Sequence, residues 1–339
     1  MKQIVQRTSH PRHRAVINGQ RGMSLVELLV AMTIGLFLMG AVGAIYVATS
    51  TSSRGSTLES QMNEDASLAL EMLQQQIRLA GYSGFAADGT RNFQGIGVRG
   101  CDGGFTDNAA NTDFDGMACA ASTAGPDAIA VRYEASVLNT QPTAGGLPTN
   151  CSFSGITAWN PGGGVIPLAD NRYYVAADAN NGNIPTLFCK GKDGVTAGGG
   201  FDAATALIPN IEDMQINYAI TLAPVADEPM PHQITSYVDA SNAALGATLS
   251  NWSRVAGVHI CLLARTSQPI PSAGGTRTEL GSYVDCNGVR QNGNADGFLR
   301  RAYHTTVQLR NMRPAVPAGY GLAANGSVRN PWAYLTGDE

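Results

Sequence analysis

The sequence has few charged residues and lacks the short motifs of common enzyme and nucleotide sites. Only 14% of its 339 residues are Asp, Glu, Lys or Arg. It contains no G-x-S-x-G nucleophile turn, no glycine-rich phosphate loop, and no Cys-x-x-Cys or His-x-x-x-His spacing typical of zinc sites. These absences argue against a hydrolase, a motor ATPase or a zinc protein. We therefore expect no enzyme activity, no cofactor and no metal.

Acidic residues are missing from the first 22 positions. That segment holds five basic residues, Lys2, Arg7, Arg12, Arg14 and Arg21. Without it the formal charge falls from −4 to −9, since 17 basic residues then face 26 acidic ones. A basic leader before an apolar span predicts that residues 1–22 stay in the cytoplasm and the rest crosses the membrane. The acidic remainder argues against a nucleic-acid partner.

No charge interrupts the 21 residues from Leu28 to Ala48. As a helix this run covers about 31 Å, which matches a hydrocarbon core of about 30 Å. A cleaved secretory signal has a shorter apolar region of about 7–15 residues, and Glu27 would be out of place in one. The run therefore predicts a transmembrane helix.

A second helical pattern follows the apolar run, with no proline before Pro126. Apolar residues recur at steps of three and four, which predicts one buried stripe on a helix. Gly81 is placed to end this helix in a left-handed cap. The Ser/Thr run at 50–53 is weakly helical and predicts a bend. The stripe consists of Leu58, Met62, Ala66, Ala69, Leu70, Leu73, Ile77 and Ala80.

Beyond Gly81 the sequence predicts antiparallel strands. Alternating apolar residues occur in "MQINYAI" (214–220) and "RAYHTTVQL" (301–309), and three further strands are predicted at 128–135, 172–176 and 258–264. A sheet with one apolar face needs a cover, and the amphipathic helix supplies it. Glycine-rich loops are expected at 87–125, 139–170, 191–205 and 267–297. The predicted fold class is α+β.

The residues around the start of the apolar run resemble the processing signal of type IV pilins and type II secretion pseudopilins. Gly22, Met23 and Glu27 precede the apolar run in the family's order. The resemblance implies a cut after Gly22 by a membrane peptidase and N-methylation of Met23. The leader is longer than in many major pilins, and the proline often found in their span is absent.

Glu27 lies where a carboxylate is costly, at about 2.5–3.5 kcal/mol on insertion scales, so it needs a partner or a function. In a filament it would neutralise the amino terminus of Met23 on a neighbouring subunit and set the subunit register. The alternative is a membrane-interface residue whose carboxylate reaches water.

The remainder of the chain resembles the large PilW-type minor pilins of type IV pili. The resemblance is carried by the leader and by five stretches in the family's order, at 68–84, 125–135, 207–220, 252–266 and 296–311. It implies a ladle-shaped α+β pilin, with a long N-terminal helix packed on an antiparallel head with long loops. The expected parts are a cleaved leader (1–22), a transmembrane and filament-core helix (23–53), an amphipathic helix (54–81) and a disulfide-containing β-rich head (82–339).

The function implied is a structural one. A PilW-like minor pilin would help to prime type IV pilus assembly, which serves adhesion and twitching motility, and would sit at or near the pilus tip. Its partners would be other minor pilins, the major pilin, a large tip adhesin, the prepilin peptidase and the inner-membrane assembly platform. Before assembly it would span the bacterial inner membrane with its head in the periplasm, and afterwards it would be extracellular. The alternatives are a type II secretion pseudopilin and a membrane-anchored periplasmic enzyme or ligand-binding protein.

All six cysteines lie beyond the apolar run. An even number on the extracytoplasmic side predicts three disulfides, with fifteen possible pairings. The sequential pairing closes the shortest loops, although Cys261 lies in a predicted strand and could instead be a buried thiol. The cysteines are Cys101, Cys119, Cys151, Cys189, Cys261 and Cys286.

Two minor features have simple interpretations. His232, His259 and His304 are the histidines beyond the leader, and the sequence contains no G-x-S-x-G serine that one of them could activate as a general base. "NGNADG" (292–297) resembles the start of a calcium loop, but Tyr303 stands where a bidentate glutamate is needed, so a polar turn is favoured.

Overall fold

The structure is a computed structural model. It describes residues 22–85, 91–93, 95–106, 114–157, 166–193, 203–223, 231, 233–246, 248–270, 282–292 and 296–312. The chain divides into two compact units, Met1–Ser52 and Ser53–Glu339. His232 lies outside the described residues, as do 293–295 of the calcium-like stretch.

One long helix, α1 (Leu25–Arg78), precedes all strands. The predicted stripe is buried from Met62 to Ala80, and Leu58 is half-buried. Gly81 follows with φ of +71°, and a Cβ there would lie 2.8 Å from Met312 Cγ, so both conformation and space require glycine.

Residues 50–53, where the composition predicts a bend, lie within α1. Hydroxyl groups there and nearby donate to carbonyl oxygens of the preceding turn. Thr51 Oγ1 lies 2.9 Å from the Ala48 oxygen, and Thr57 Oγ1 lies 3.0 Å from the Ser53 oxygen. These bonds satisfy the hydroxyls within the helix, and bonds of this kind slightly destabilise a helix and often bend it.

Eleven strands follow α1 in the described residues, all paired antiparallel. A five-stranded sheet has the order β1-β2-β3-β4-β5, a four-stranded sheet the order β11-β8-β6-β7, and β9 pairs with β10. The strands are β1 (Val98–Cys101), β2 (Ala128–Glu134), β3 (Leu168–Asp178), β4 (Ile184–Asp193), β5 (Thr205–Pro209), β6 (Ile211–Thr221), β7 (Ile234–Val238), β8 (Val255–Arg265), β9 (Tyr283–Val284), β10 (Arg290–Gln291) and β11 (Arg300–Gln308).

All five predicted strands are present, as β2, β3, β6, β8 and β11. The α+β class, with a helix packed on antiparallel strands, is confirmed. The head differs from a single sheet by containing two large ones. All four expected loops also contain strand residues, since β1 lies within 87–125, the start of β3 within 139–170, part of β4 within 191–205, and β9 with β10 within 267–297.

The core forms where the stripe of α1 and the apolar faces of both large sheets meet. Leu73 and Ile77 are fully buried there with Tyr133, Tyr218 and Trp252. Polar contacts fix α1 on β11. Gln74 Nε2 donates to Thr305 Oγ1 at 2.7 Å, and Arg301 pairs with Glu59 at 2.7 Å.

Candidate processing and assembly site

The start of α1 is fixed by a reciprocal pair of hydrogen bonds. The Ser24 N–H donates to Glu27 Oε2 at 3.2 Å, and the Glu27 N–H donates to Ser24 Oγ at 3.1 Å. This arrangement is a capping box, which satisfies two amides that a helix start leaves without partners. A carboxylate in the first turn also interacts favourably with the helix dipole. Gly22 and Met23 lie just before this cap, outside the helix.

The capping box was missed in the sequence, although S-x-x-E before an apolar run is its usual signature. Glu27 therefore has a role within its own chain that neither the assembly hypothesis nor the interface alternative included. Both side chains of the box are exposed, so the second carboxylate oxygen stays accessible to another group. Capping and subunit pairing are compatible on these grounds.

None of the residues that the structure describes covers the apolar part of α1. Its best 18-residue window has a mean hydropathy of 2.4, and none of that window is buried. A Cβ added at Gly35, Gly40 or Gly43 would meet nothing within 4 Å. The helix is thus long and apolar enough to cross a membrane, and these glycines pack against nothing else in the described part of the chain.

Three disulfides join the cysteines in sequential order. Their Cα–Cα distances are 5.1 Å for Cys101–Cys119, 6.2 Å for Cys151–Cys189 and 5.6 Å for Cys261–Cys286. These distances lie in the range that a disulfide spans. The first ties β1 to the loop before β2, the second ties the loop before β3 to β4, and the third ties β8 to the β9–β10 hairpin.

The remaining candidate groups have structural partners. His259 and His304 lie on neighbouring strands and stack with ring centroids 5.6 Å apart. Burial is the main cause that lowers the pKa of His259, and the charge of His304 lowers it further. The Asp296 carboxylate of the calcium-like stretch pairs with Arg300 at 2.6 Å. No group of three metal-ligating side chains occurs in the part of the chain that the structure describes.

Comparisons with known proteins agree with this architecture. A family model for the prokaryotic N-terminal methylation motif matches residues 17–43, around Gly22, Met23 and the capping box, and indicates a type IV pilin-class protein. The family model for type IV pilus-assembly protein W matches residues 172–311. The two matches support a PilW-family type IV pilin with a prepilin-type signal, the first over the N-terminal segment and the second over residues 172–311 of the head.

The other comparisons add less. No curated protein matches the chain. A type IV-like pilin from Thermus thermophilus is similar in structure with a TM-score of 0.32 at 12% identity, over 74% of this chain and 98% of that one.

Proposed function

We propose that this chain is a minor pilin that helps to prime type IV pilus assembly and occupies a place at or near the pilus tip. The observation that carries the proposal is the combination of an uncovered apolar helix, headed by Gly22, Met23 and Glu27, with a PilW-type head. A free monomer gains nothing from an apolar helix without cover. A membrane supplies that cover before assembly, and neighbouring helices supply it in a filament.

Processing is the first step of the proposed pathway. The prepilin peptidase would cut after Gly22, remove the basic leader and methylate Met23. Residues 23–53 would then lie in the inner membrane and later in the filament core, followed by the amphipathic helix (54–81) and a periplasmic head (82–339). Other minor pilins, the major pilin, the assembly platform and a tip adhesin would be its partners.

Mass spectrometry of the purified chain tests the processing step. The expected mature form begins at N-methylated Met23 in wild type, whereas Gly22→Ala keeps its leader. Gly19→Ala is a matched control because it changes a glycine outside the proposed cleavage site. An intact wild-type leader, a cut near Ala44, or normal processing of Gly22→Ala would contradict the proposed cleavage.

Deletion of the gene tests the assembly role against the secretion alternative. A pseudopilin shares the leader and the long helix, so the N-terminal segment does not distinguish the two systems. The PilW match favours the pilus. We expect the deletion strain to lose most surface pili and to secrete proteins normally. Loss of secretion with normal piliation would instead assign the chain to a secretion system.

A further inference from the structure

A pocket of about 330 Å³ lies beside the C-terminal part of α1. A loop of residues 136–157, here called the 136–157 loop, supplies most of its wall. None of the lining residues carries a charge, and the volume falls in the range of small-molecule sites. They are Met72, Gln75, Gln76, Tyr133, Leu138, Asn139, Thr140, Gln141, Thr149, Asn150, Cys151, Phe153, Tyr173 and Leu207.

The 136–157 loop is held rigidly in place. Cys151 forms a disulfide with Cys189, and its N–H donates to Asn171 Oδ1 at 3.0 Å. Ser152 Oγ accepts the Gly191 N–H at 3.0 Å. A Cβ at Gly191 would lie 2.3 Å from Asn150 Cγ, so the loop packs directly on the backbone of β4. A wall fixed before binding lowers the entropy cost of binding.

The pocket also includes exposed apolar side chains. Phe153 has φ of +63°, a conformation that a bulky residue rarely adopts, and its side chain is 62% exposed. Leu138 is 94% exposed. A positive φ at a non-glycine residue is a feature that concentrates at binding sites.

The hydrogen-bonding groups of the pocket divide into two sets. The side chains of Asn139, Thr140 and Thr149 donate to backbone oxygens within or next to the loop. A second set keeps unused capacity within the described part of the chain. Tyr173 has a buried hydroxyl without a partner, and the Gln141 amide is exposed and makes no hydrogen bond. A buried hydroxyl without a partner costs free energy that a ligand could recover.

We propose that this pocket binds an uncharged carbohydrate, with a pyranose ring stacked on Phe153 and its hydroxyl groups paired with the Gln141 side-chain amide and Tyr173. The uncharged lining disfavours a charged ligand, since that ligand would lose its hydration without gaining an ion pair. Sugar hydroxyls both donate and accept, which matches amide and phenol groups. The 136–157 loop, which supplies most of the wall, lies outside the matched residues 172–311, whereas Tyr173 and Leu207 lie within them.

Binding is tested with the full chain in lipid nanodiscs, because glycoside detergents would compete for the pocket. Saturation-transfer NMR and calorimetry would use glucose, galactose and N-acetylglucosamine as probes. Glucuronate is the charged control, and N-acetyl-glycyl-glycine methylamide is the uncharged peptide control. We expect saturable binding of at least one neutral sugar and about tenfold weaker binding of glucuronate.

Two variants locate the binding to this pocket. Tyr173→Phe removes one hydroxyl and should weaken sugar binding about fivefold without lowering the melting temperature. Phe153→Gly removes the ring and relieves the positive φ, so it should weaken binding about tenfold while preserving or raising the melting temperature. A residue with only a structural role would not separate affinity from stability in this way.

Matched controls make the same chemical changes elsewhere. Tyr218→Phe removes another buried hydroxyl that lacks a partner among the described residues, and Val137→Ala truncates an exposed apolar residue of the loop that does not line the pocket. Both should bind sugar as wild type does. The proposal is overturned if no neutral sugar binds saturably, if the peptide binds more tightly than every sugar, or if both Tyr173→Phe and Phe153→Gly leave affinity unchanged. The assay does not involve pili, so its failure would leave the proposed assembly role intact.

Discussion

Glu27 shows how one residue can serve both a chain and an assembly. Its carboxylate caps α1 through the Ser24 N–H at 3.2 Å. The proposed contact with a neighbouring amino terminus needs its charge as well. Glutamine keeps a side-chain oxygen that can complete a capping box but carries no charge. The two roles are therefore separable by substitution.

We predict that Glu27→Gln preserves helix formation and membrane insertion but reduces incorporation into pili about as strongly as Glu27→Leu, because both variants lack the charge. Glu27→Leu should additionally weaken the start of the helix by about 1 kcal/mol. Immunoblots of sheared pili, compared with membrane fractions, would measure incorporation. Glu64→Gln, a charge removal in the exposed middle of α1, is the control. If Glu27→Gln enters pili as well as wild type does, the charge of Glu27 has no role in assembly and the residue acts only as a helix cap.

Asp127 is a buried carboxylate that links two distant segments. Its oxygens accept the Gly103 N–H at 3.1 Å and the Ile216 N–H at 2.7 Å. Burial raises its pKa to about 7 against the lowering effect of these bonds, and the charges of Asp102 and Asp213 raise it further. The folded protein therefore retains this proton to a higher pH than the unfolded chain, whose carboxyl titrates near 3.8.

It follows that folding takes up a proton between about pH 4 and pH 7, so the contribution of Asp127 to stability decreases as pH rises through this window. We predict that Asp127→Asn makes the free energy of unfolding less dependent on pH, by at most about 1.4 kcal/mol per pH unit. Urea unfolding at several pH values would measure it. Asp285→Asn, which removes a partly exposed carboxylate, should leave the slope of the free energy of unfolding against pH unchanged between pH 5 and pH 7. If Asp127→Asn leaves the slope of the free energy of unfolding against pH unaltered, the raised pKa of Asp127 is contradicted.

At the scale of elements, the packing of α1 on the sheets rests on its apolar stripe. Leu73 is fully buried, whereas Leu68 on the same helix is 46% exposed. We predict that Leu73→Ala lowers the free energy of unfolding by about 2–5 kcal/mol, because it leaves a cavity in a packed core. Leu68→Ala should cost less than about 1 kcal/mol. Denaturation of the full chain, followed by the fluorescence of buried Trp252, would compare them. Equal losses would mean that α1 does not pack as described.

Elements with regular periodicity could be predicted from the sequence, and interrupted ones could not. β6 alternates over residues 214–218, so its pattern correctly predicts that Met214 and Ile216 are buried, whereas its last four residues are all buried. β4 was missed because Pro185, Gly191 and two lysines break its pattern. The start of β3 was also missed, because its polar residues suggest a loop. In the structure Asp170 and Arg172 are buried and form an ion pair at 3.0 Å.

At the scale of the molecule, the pocket shows what sequence order cannot predict. Its residues come from α1, the 136–157 loop and strands β2, β3 and β5, between positions 72 and 207. Asn171 illustrates the point, since it donates to Gln76 Oε1, 95 positions away, at 3.1 Å. The N-terminal signal was readable because all its residues lie within a few positions of each other. A site assembled by tertiary contacts leaves no such local pattern.

The three disulfides join segments of the head that lie 18 to 38 residues apart in the sequence. Cys151–Cys189 closes the longest loop, of 38 residues. We predict that replacing both cysteines by serine lowers the free energy of unfolding by about 2–4 kcal/mol and mobilises the 136–157 loop. Unfolding curves and hydrogen exchange would measure the two effects. Peptide mapping without reduction should recover the sequential pairs, and another connectivity or a free Cys261 thiol would contradict the structure.

The reciprocal bonds between Ser24 and Glu27 have a consequence for maturation. Both partners lie on the same side of the proposed cut after Gly22, so trimming the precursor would remove neither of them. The shortened subunit would keep a helical first turn and would present one residue before the helix cap, Met23, to its neighbours. Polymerisation would then begin from an already ordered end, without a separate folding step at the site of insertion.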